Sequence, residues 1–157
     1  MGPQMNADSR GFKHRELTER IIGVFFDVYN ELGCGFIESV YEKSLEVALT
    51  SVGLRVHRQI EIPVWYRKHK VGDFTADILV NECVLLELKA ARALDSAHEA
   101  QLLNYLRATD IEVGLILNFG LKPQFKRLVY DNPRKQIRES PRLSVAEILL
   151  NPEQGNK

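Results

Sequence analysis

The run Val84-Leu85-Leu86-Glu87-Leu88-Lys89 constrains the fold more than any other stretch of this chain. It is apolar at nearly every position, so a strand made of it is buried on both faces and lies inside a covered sheet. Yet it carries an acid and an amine two residues apart, which places Glu87 and Lys89 on one face and Leu86 and Leu88 on the other. A carboxylate in such surroundings is costly unless it is paired or bound to a cation. Asp77, closing Phe74-Thr75-Ala76-Asp77, is a second acid in an apolar strand pattern. If the two segments form a hairpin, Asp77 lies opposite Glu87 only when the pairing is centred on Glu82. A two-residue turn at Asn81-Glu82 would set Asp77 against Leu86 and aim it away. The sequence therefore predicts a three-residue connection, Asn81-Glu82-Cys83, or an equivalent bulge.

The flanking pattern supplies the other elements. Leu17, Ile21, Val24, Val28 and Leu32 recur at steps of three and four, one face of a helix from about His14 to Leu32. Gly33-Cys34-Gly35 stops it. Ile37, Val40, Tyr41, Leu45, Ala48 and Val52 mark a second helix, ended by Gly53. The period then changes to two. Val56, Arg58, Ile60, Ile62 and Val64 read as one face of a strand, with Pro63 favouring an edge. Arg67 to Lys70 reads as a polar turn, and Val71 to Val80 as the second strand. After Lys89 a third helix is expected over Asp95 to Ala108, capped by Asp95 or Ser96. A fourth strand spans Val113 to Phe119, ended by Gly120, and a fifth Phe125 to Tyr130. The order α-α-β-β-β-α-β-β predicts an α/β (α+β) domain, a mixed sheet with an antiparallel meander flanked by helices. Residues 1–13 are expected to be a flexible lead-in and 14–131 the folded domain. Residues 132–157 are expected to hold a polar basic loop and a short helix near Leu143 to Leu150.

At 157 residues the chain suits one domain. No apolar run is long enough to span a bilayer, so no membrane role and a cytoplasmic location are expected. Two cysteines make neither a disulfide framework nor a zinc cluster. His14, His57, His69 and His98 have no zinc spacing. No glycine-flanked serine elbow or phosphate loop is present. The formal net charge of +0 argues against non-specific coating of nucleic acid. Basic residues still cluster, at Arg67, Lys68, His69 and Lys70, and at Lys122, Lys126 and Arg127 through Arg134, Lys135, Arg138 and Arg142. These are solvated loops or phosphate contacts.

Two carboxylates and a lysine on adjacent strands make a site for a hard divalent cation such as Mg²⁺. Such an ion lowers the pKa of a bound water and offsets charge on a phosphate. The pattern, an acid on one strand and Glu-x-Lys on the next, resembles the PD-(D/E)XK nuclease superfamily, without the proline before the aspartate. Gly35-Phe36-Ile37-Glu38-Ser39-Val40-Tyr41 reads as Gly-x-x-Glu-x-x-Tyr and resembles the small bacterial GxxExxY family within it. The likeness runs from about His14 to Asp131 and takes in Gln101 to Tyr105 and Asn118-Phe119-Gly120.

The resemblance implies a restriction-endonuclease-like core and a Mg²⁺-dependent nuclease, with Mn²⁺ able to substitute and DNA the favoured substrate. Asp77 and Glu87 would be metal ligands with the Leu88 carbonyl, Lys89 would serve the attacking water, Glu38 would complete the acidic cluster and Gln101 would assist. Glu38 also reads as a salt-bridge or helix-start acid. Tyr41 and Tyr105 would support the site through its carboxylates or by stacking on bases, or else be core aromatics with satisfied hydroxyls. His98 reads as a polar helix face. The rival reading is a catalytically silent nucleic-acid-binding or protein-interaction module on the same fold, and a scaffold in which Glu87 and Lys89 merely pair is the third. A homodimer or a protein partner is left open.

Overall fold

The computed structural model describes residues 14–131 and 144–149. Helices α1 (Arg15–Leu32) and α2 (Glu38–Ser51) precede strands β1 (Val56–Tyr66), β2 (His69–Val80) and β3 (Val84–Lys89). Helix α3 (Ser96–Ala108) and strands β4 (Val113–Phe119) and β5 (Pro123–Val129) follow, so the order is that expected. The strands form one sheet in the order β1-β2-β3-β4-β5. β3 and β4 run parallel, since α3 returns the chain between them, and the other pairs are antiparallel.

β3 is central and its two faces feed two cores. On one face Val84, Leu86 and Leu88 join Ile21, Phe25, Leu45 and Leu49 of α1 and α2. On the other, Leu85 joins Leu79, Ile116 and Leu102 and Leu106 of α3. α3 seats closely because Gly114 of β4 leaves room: a Cβ there would stand 2.9 Å from the Leu102 methyls. Asp95 caps α3, accepting from the Ala97 and His98 amides at 2.9 and 3.2 Å. His98 Nδ1 accepts the Asp95 amide in return, so His98 is a capping residue. Residues 145–149 are helical, and Ile148 is buried in the second core. The expected lead-in over 1–13 and the basic loop residues Arg134, Lys135, Arg138 and Arg142 lie outside the described residues.

Three expectations are corrected. Ile37 and Val52 flank α2 rather than belong to it, and Ile37 is 71% exposed; the buried stripe is Tyr41, Leu45 and Leu49, joined by Glu42. The turn between β1 and β2 is only Arg67-Lys68, both in the left-handed region at φ 49° and 67°. His69 and Lys70 therefore belong to β2, paired with Tyr66 and Trp65. Finally, β1 does not keep one face throughout. Val56 packs with the α1–α2 core, whereas Ile60, Ile62 and Val64 pack with the α3 core. The switch falls at Gln59, whose φ of 58° breaks the alternation. β2 switches at the facing position: Ala76 belongs to the α3 core and Ile78, two residues on, to the other. Between them stands Asp77.

Candidate active site

The β2–β3 pairing is Ile78 with Leu86, Leu79 with Leu85 and Val80 with Val84, centred on Glu82. The connection is therefore Asn81-Glu82-Cys83, with Asn81 and Glu82 at φ 51° and 60°. Asn81 is held by Arg55, whose amide donates to the Asn81 Oδ1 at 2.8 Å. This register carries Asp77 to Glu87, where side chains take over the ladder. The Asp77 amide donates to Glu87 Oε1 at 3.2 Å, and the Leu88 amide to Asp77 Oδ2 at 2.7 Å. Each carboxylate thus spends one oxygen on the neighbouring strand.

Both carboxylates resist ionisation. Glu87 is 3% exposed. Burial first, and then the charge of Asp77, pushes its pKa up to about 8. Asp77 is pushed up to about 6, chiefly by burial and against the Leu88 amide bond, with Glu42 and Glu38 adding negative charge. Lys89 draws both down without offsetting the rise. Among the described residues Lys89 forms no ion pair with either acid. Its Nζ donates instead to Gln101 Oε1 at 3.1 Å, and Gln101 Nε2 donates to the Tyr105 hydroxyl at 2.9 Å. Glu87 and Asp77 raise the pKa of Tyr105, behind burial as the main cause. Lys89, Gln101 and Tyr105 thus form a chain beside the acids.

Behind Lys89 the backbone is pinned. Asn118, fully buried at the end of β4, accepts the Ala91 amide at 2.9 Å and donates to the Ala91 carbonyl at 3.0 Å. The Ala91 carbonyl also occupies the space where a Cβ on Gly120 would stand. Gly120→Ala is expected to cost about 1–3 kcal/mol by overpacking, read as a lowered Tm in thermal unfolding. An unchanged Tm would mean that the segment after Lys89 yields freely and is not held by this contact.

Other expected residues fall elsewhere. Glu38 is exposed in the first turn of α2 and reaches Asp77 and Glu87 through its charge. Among the described residues no three His, Cys, Asp or Glu side chains are grouped closely enough to hold an ion, so Glu38 does not complete a direct acidic triad. Tyr41 is a core aromatic: its ring stacks on Phe119 at 4.0 Å and its hydroxyl donates to the Gly33 carbonyl at 2.6 Å. It closes the glycine turn rather than bonding a site carboxylate. Lys70 pairs with Asp73 at 2.7 Å, and Arg67 lies over the Tyr66 ring at 5.1 Å. With Lys68 they sit at the hairpin tip, roughly 25–30 Å from Asp77 at about 3.3 Å per strand residue. Lys126 is nearer, exposed in the same row as Glu87 through Ile116. Arg127 is half-buried, its guanidinium pKa lowered by burial and by Arg15, and Lys122 is exposed just before β5.

One cluster escaped the sequence reading. Glu42, buried on α2, accepts Arg58 Nη1 at 2.8 Å and Gln59 Nε2 at 2.9 Å on both oxygens, and Arg58 Nε also reaches Glu46 at 2.9 Å. The available signal was the step of four from Glu38 to Glu42 beside Tyr41.

The residues present fit a divalent cation. Asp77 and Glu87 meet from adjacent strands, and among the described residues the second oxygen of each takes no protein hydrogen bond. Hard cations such as Mg²⁺ bind through one or two carboxylates and keep several waters, so two acids suffice.

A five-stranded mixed sheet flanked by helices, with an acid and Glu-x-Lys meeting on neighbouring strands, defines a restriction-endonuclease-like fold. The chain belongs to the PD-(D/E)XK nuclease superfamily, whose family model matches residues 15–128. No curated protein matches the chain. A solved structure, the crystal structure of SSO0001, is 16% identical with a TM-score of 0.48. That match covers 72% of this chain and 58% of the other, so this chain spans little more than half its length. No helix among the described residues is long and apolar enough to cross a membrane.

Proposed function

We propose that this protein is a Mg²⁺-dependent phosphodiesterase acting on nucleic acid, DNA foremost, of the GxxExxY type, with residues 14–131 as the nuclease unit. Asp77 and Glu87 would hold the ion, with the Leu88 carbonyl beside them, and Mn²⁺ would substitute. When bound, the ion supplies a water of lowered pKa and positive charge for the phosphate.

The chain's own residues do the rest. Lys89 directs its ammonium at the attacking water or a phosphate oxygen, stabilising charge that develops there. Gln101 and Tyr105 are positioning residues that fix the Lys89 Nζ. Glu38 adds negative charge at the rim, and Lys126 and Lys122 guide the phosphate backbone, with the hairpin-tip cations reaching more distant phosphates.

The observation that carries this reading is the pairing pattern. In a scaffold, Lys89 would neutralise Glu87. Here Lys89 turns to Gln101 while two acids face each other with raised pKa values. Buried acids held together with raised pKa values are a feature of functional sites.

The test is incubation of supercoiled and single-stranded DNA with the full chain under Mg²⁺, Mn²⁺ and EDTA. Cutting is expected with either metal, absent in EDTA, and reduced at least about 100-fold by Lys89→Ala, the scale of an acid–base or charge-stabilising group. Binding without cutting under every metal would overturn it in favour of a silent binding module.

A further inference from the structure

We propose that the cleft between the β1–β2 arm and α3 receives one unpaired nucleobase next to the scissile phosphate, so that the substrate is single-stranded or locally unpaired DNA. The inference rests on the nuclease reading above and adds the form of the substrate.

The cleft has a volume of about 230 Å³ and is walled by Val64, Phe74, Tyr105 and Ala108, with Asn104 and Arg107 at its polar side. A recess of that size takes a single ring system rather than a helix. Gln101 also lines it, and the same Gln101 holds the Lys89 ammonium. The cleft therefore opens one side chain away from the proposed chemistry. Tyr105 is shared in the same way, since it anchors Gln101 and feels the charges of Glu87 and Asp77.

The walls suit a planar aromatic guest. Phe74 stands three residues before Asp77 and is 46% exposed, a large apolar ring left partly in water. Its centroid is 5.9 Å from that of Tyr105 with the planes inclined at 48°, an open pair rather than a closed stack. Bases stack on such rings regardless of sequence. The Asn104 side chain, steadied by Arg107 Nη1 at 3.3 Å from its Oδ1, offers amide chemistry to a base edge. A base inside a duplex is stacked on both sides and cannot enter, so the cleft selects nucleotides that are unpaired or flipped.

The experiment measures binding in EDTA, where no metal-dependent cutting intervenes, to single-stranded DNA carrying 2-aminopurine and to the matching duplex. The wild type is expected to bind the single strand more tightly and to quench the 2-aminopurine by stacking. Phe74→Ala is expected to weaken single-strand binding about tenfold or more, the scale of losing one base stack, with duplex binding and Tm unchanged. Phe74→Trp is expected to restore binding and Phe74→Leu to leave it weak, because stacking needs a ring and packing does not.

Equal binding of both forms by the wild type, equal losses for both forms in Phe74→Ala, or rescue by Phe74→Leu would overturn the proposal. Cleavage of the same DNAs under Mn²⁺ separates the two readings. A wild type that quenches 2-aminopurine but cuts nothing defeats the nuclease and leaves the base cleft standing. One that cuts both forms with a preference unmoved by Phe74→Ala defeats the cleft alone.

Discussion

Glu87→Gln is expected to make the metal-free protein more stable at pH 8 while abolishing the metal response and DNA cutting proposed above. Burial and the charge of Asp77 raise the Glu87 pKa to about 8. The folded state therefore holds a proton that the unfolded chain, with an ordinary glutamate near 4.3, has already released. Between those values the folded state binds more protons, so stability falls as pH rises through that window. Asp77, raised to about 6, adds to the decline over the lower part of the range. Glutamine keeps the acceptor for the Asp77 amide and carries no charge to ionise. At pH 8 the variant should exceed the wild type by about 2 kcal/mol or more, roughly 4–8 °C in Tm for a chain of this size.

Metal reverses the order. A divalent ion must displace the proton, so Mg²⁺ or Mn²⁺ should raise the wild-type Tm more at pH 8 than at pH 6 and leave Glu87→Gln unmoved. Calorimetric or fluorescence melts from pH 5 to 8.5, in EDTA and in metal, read all of this. A variant whose metal-free pH profile matches that of the wild type would show that Glu87 does not carry the penalty.

The geometry of the two strands was legible because each constraint is local. Val84–Lys89 forms the strand its apolar run demands, and the need to set Asp77 against Glu87 called for a three-residue connection or an equivalent bulge, of which the first is what forms. Helix α3 followed from its spacing, whereas the place of Gln101 beside the acids was implied by the family resemblance. The switch of faces in β1 was not legible, because Val56 to Val64 alternates without a break and a single residue at positive φ leaves no mark on that pattern. Only the burial of Ile60 and Ile62 under α3, against Val56 on the other side, reveals it. Tyr41 was half legible: its place on the helix stripe was right, but its hydroxyl partner is the Gly33 carbonyl eight residues back in the chain, a contact set by the glycine turn. Glu42 was marked only by its step of four from Glu38, which says nothing of burial. A charged residue beside a helix stripe reads as solvent-facing, and its burial depends on Arg58 and Gln59 in another element.

That cluster yields the second large effect. Arg58→Leu is expected to destabilise the protein by about 3 kcal/mol or more, the cost of leaving a buried carboxylate without its cation. The Glu42 side chain is 8% exposed and its ion pair with Arg58 is 2.8 Å long. Gln59 alone would then face the charge, and an amide cannot neutralise it. Replacing both partners with leucine should recover most of the loss, since well-packed apolar residues replace buried pairs at little cost. Denaturant melts of the two variants decide this, and equal destabilisation of single and double variants would show that packing, not the stranded charge, sets the cost. The same charge also acts on the site. Glu42 raises the pKa of Asp77, so Glu42→Gln should lower it and let metal stabilise the protein to a more acidic pH than in the wild type. The two strands change faces at Gln59 and at Asp77, and Glu42 binds the side chain of the first while its charge bears on the second. The acid that braces the irregularity is therefore also one that tunes the carboxylate standing in it.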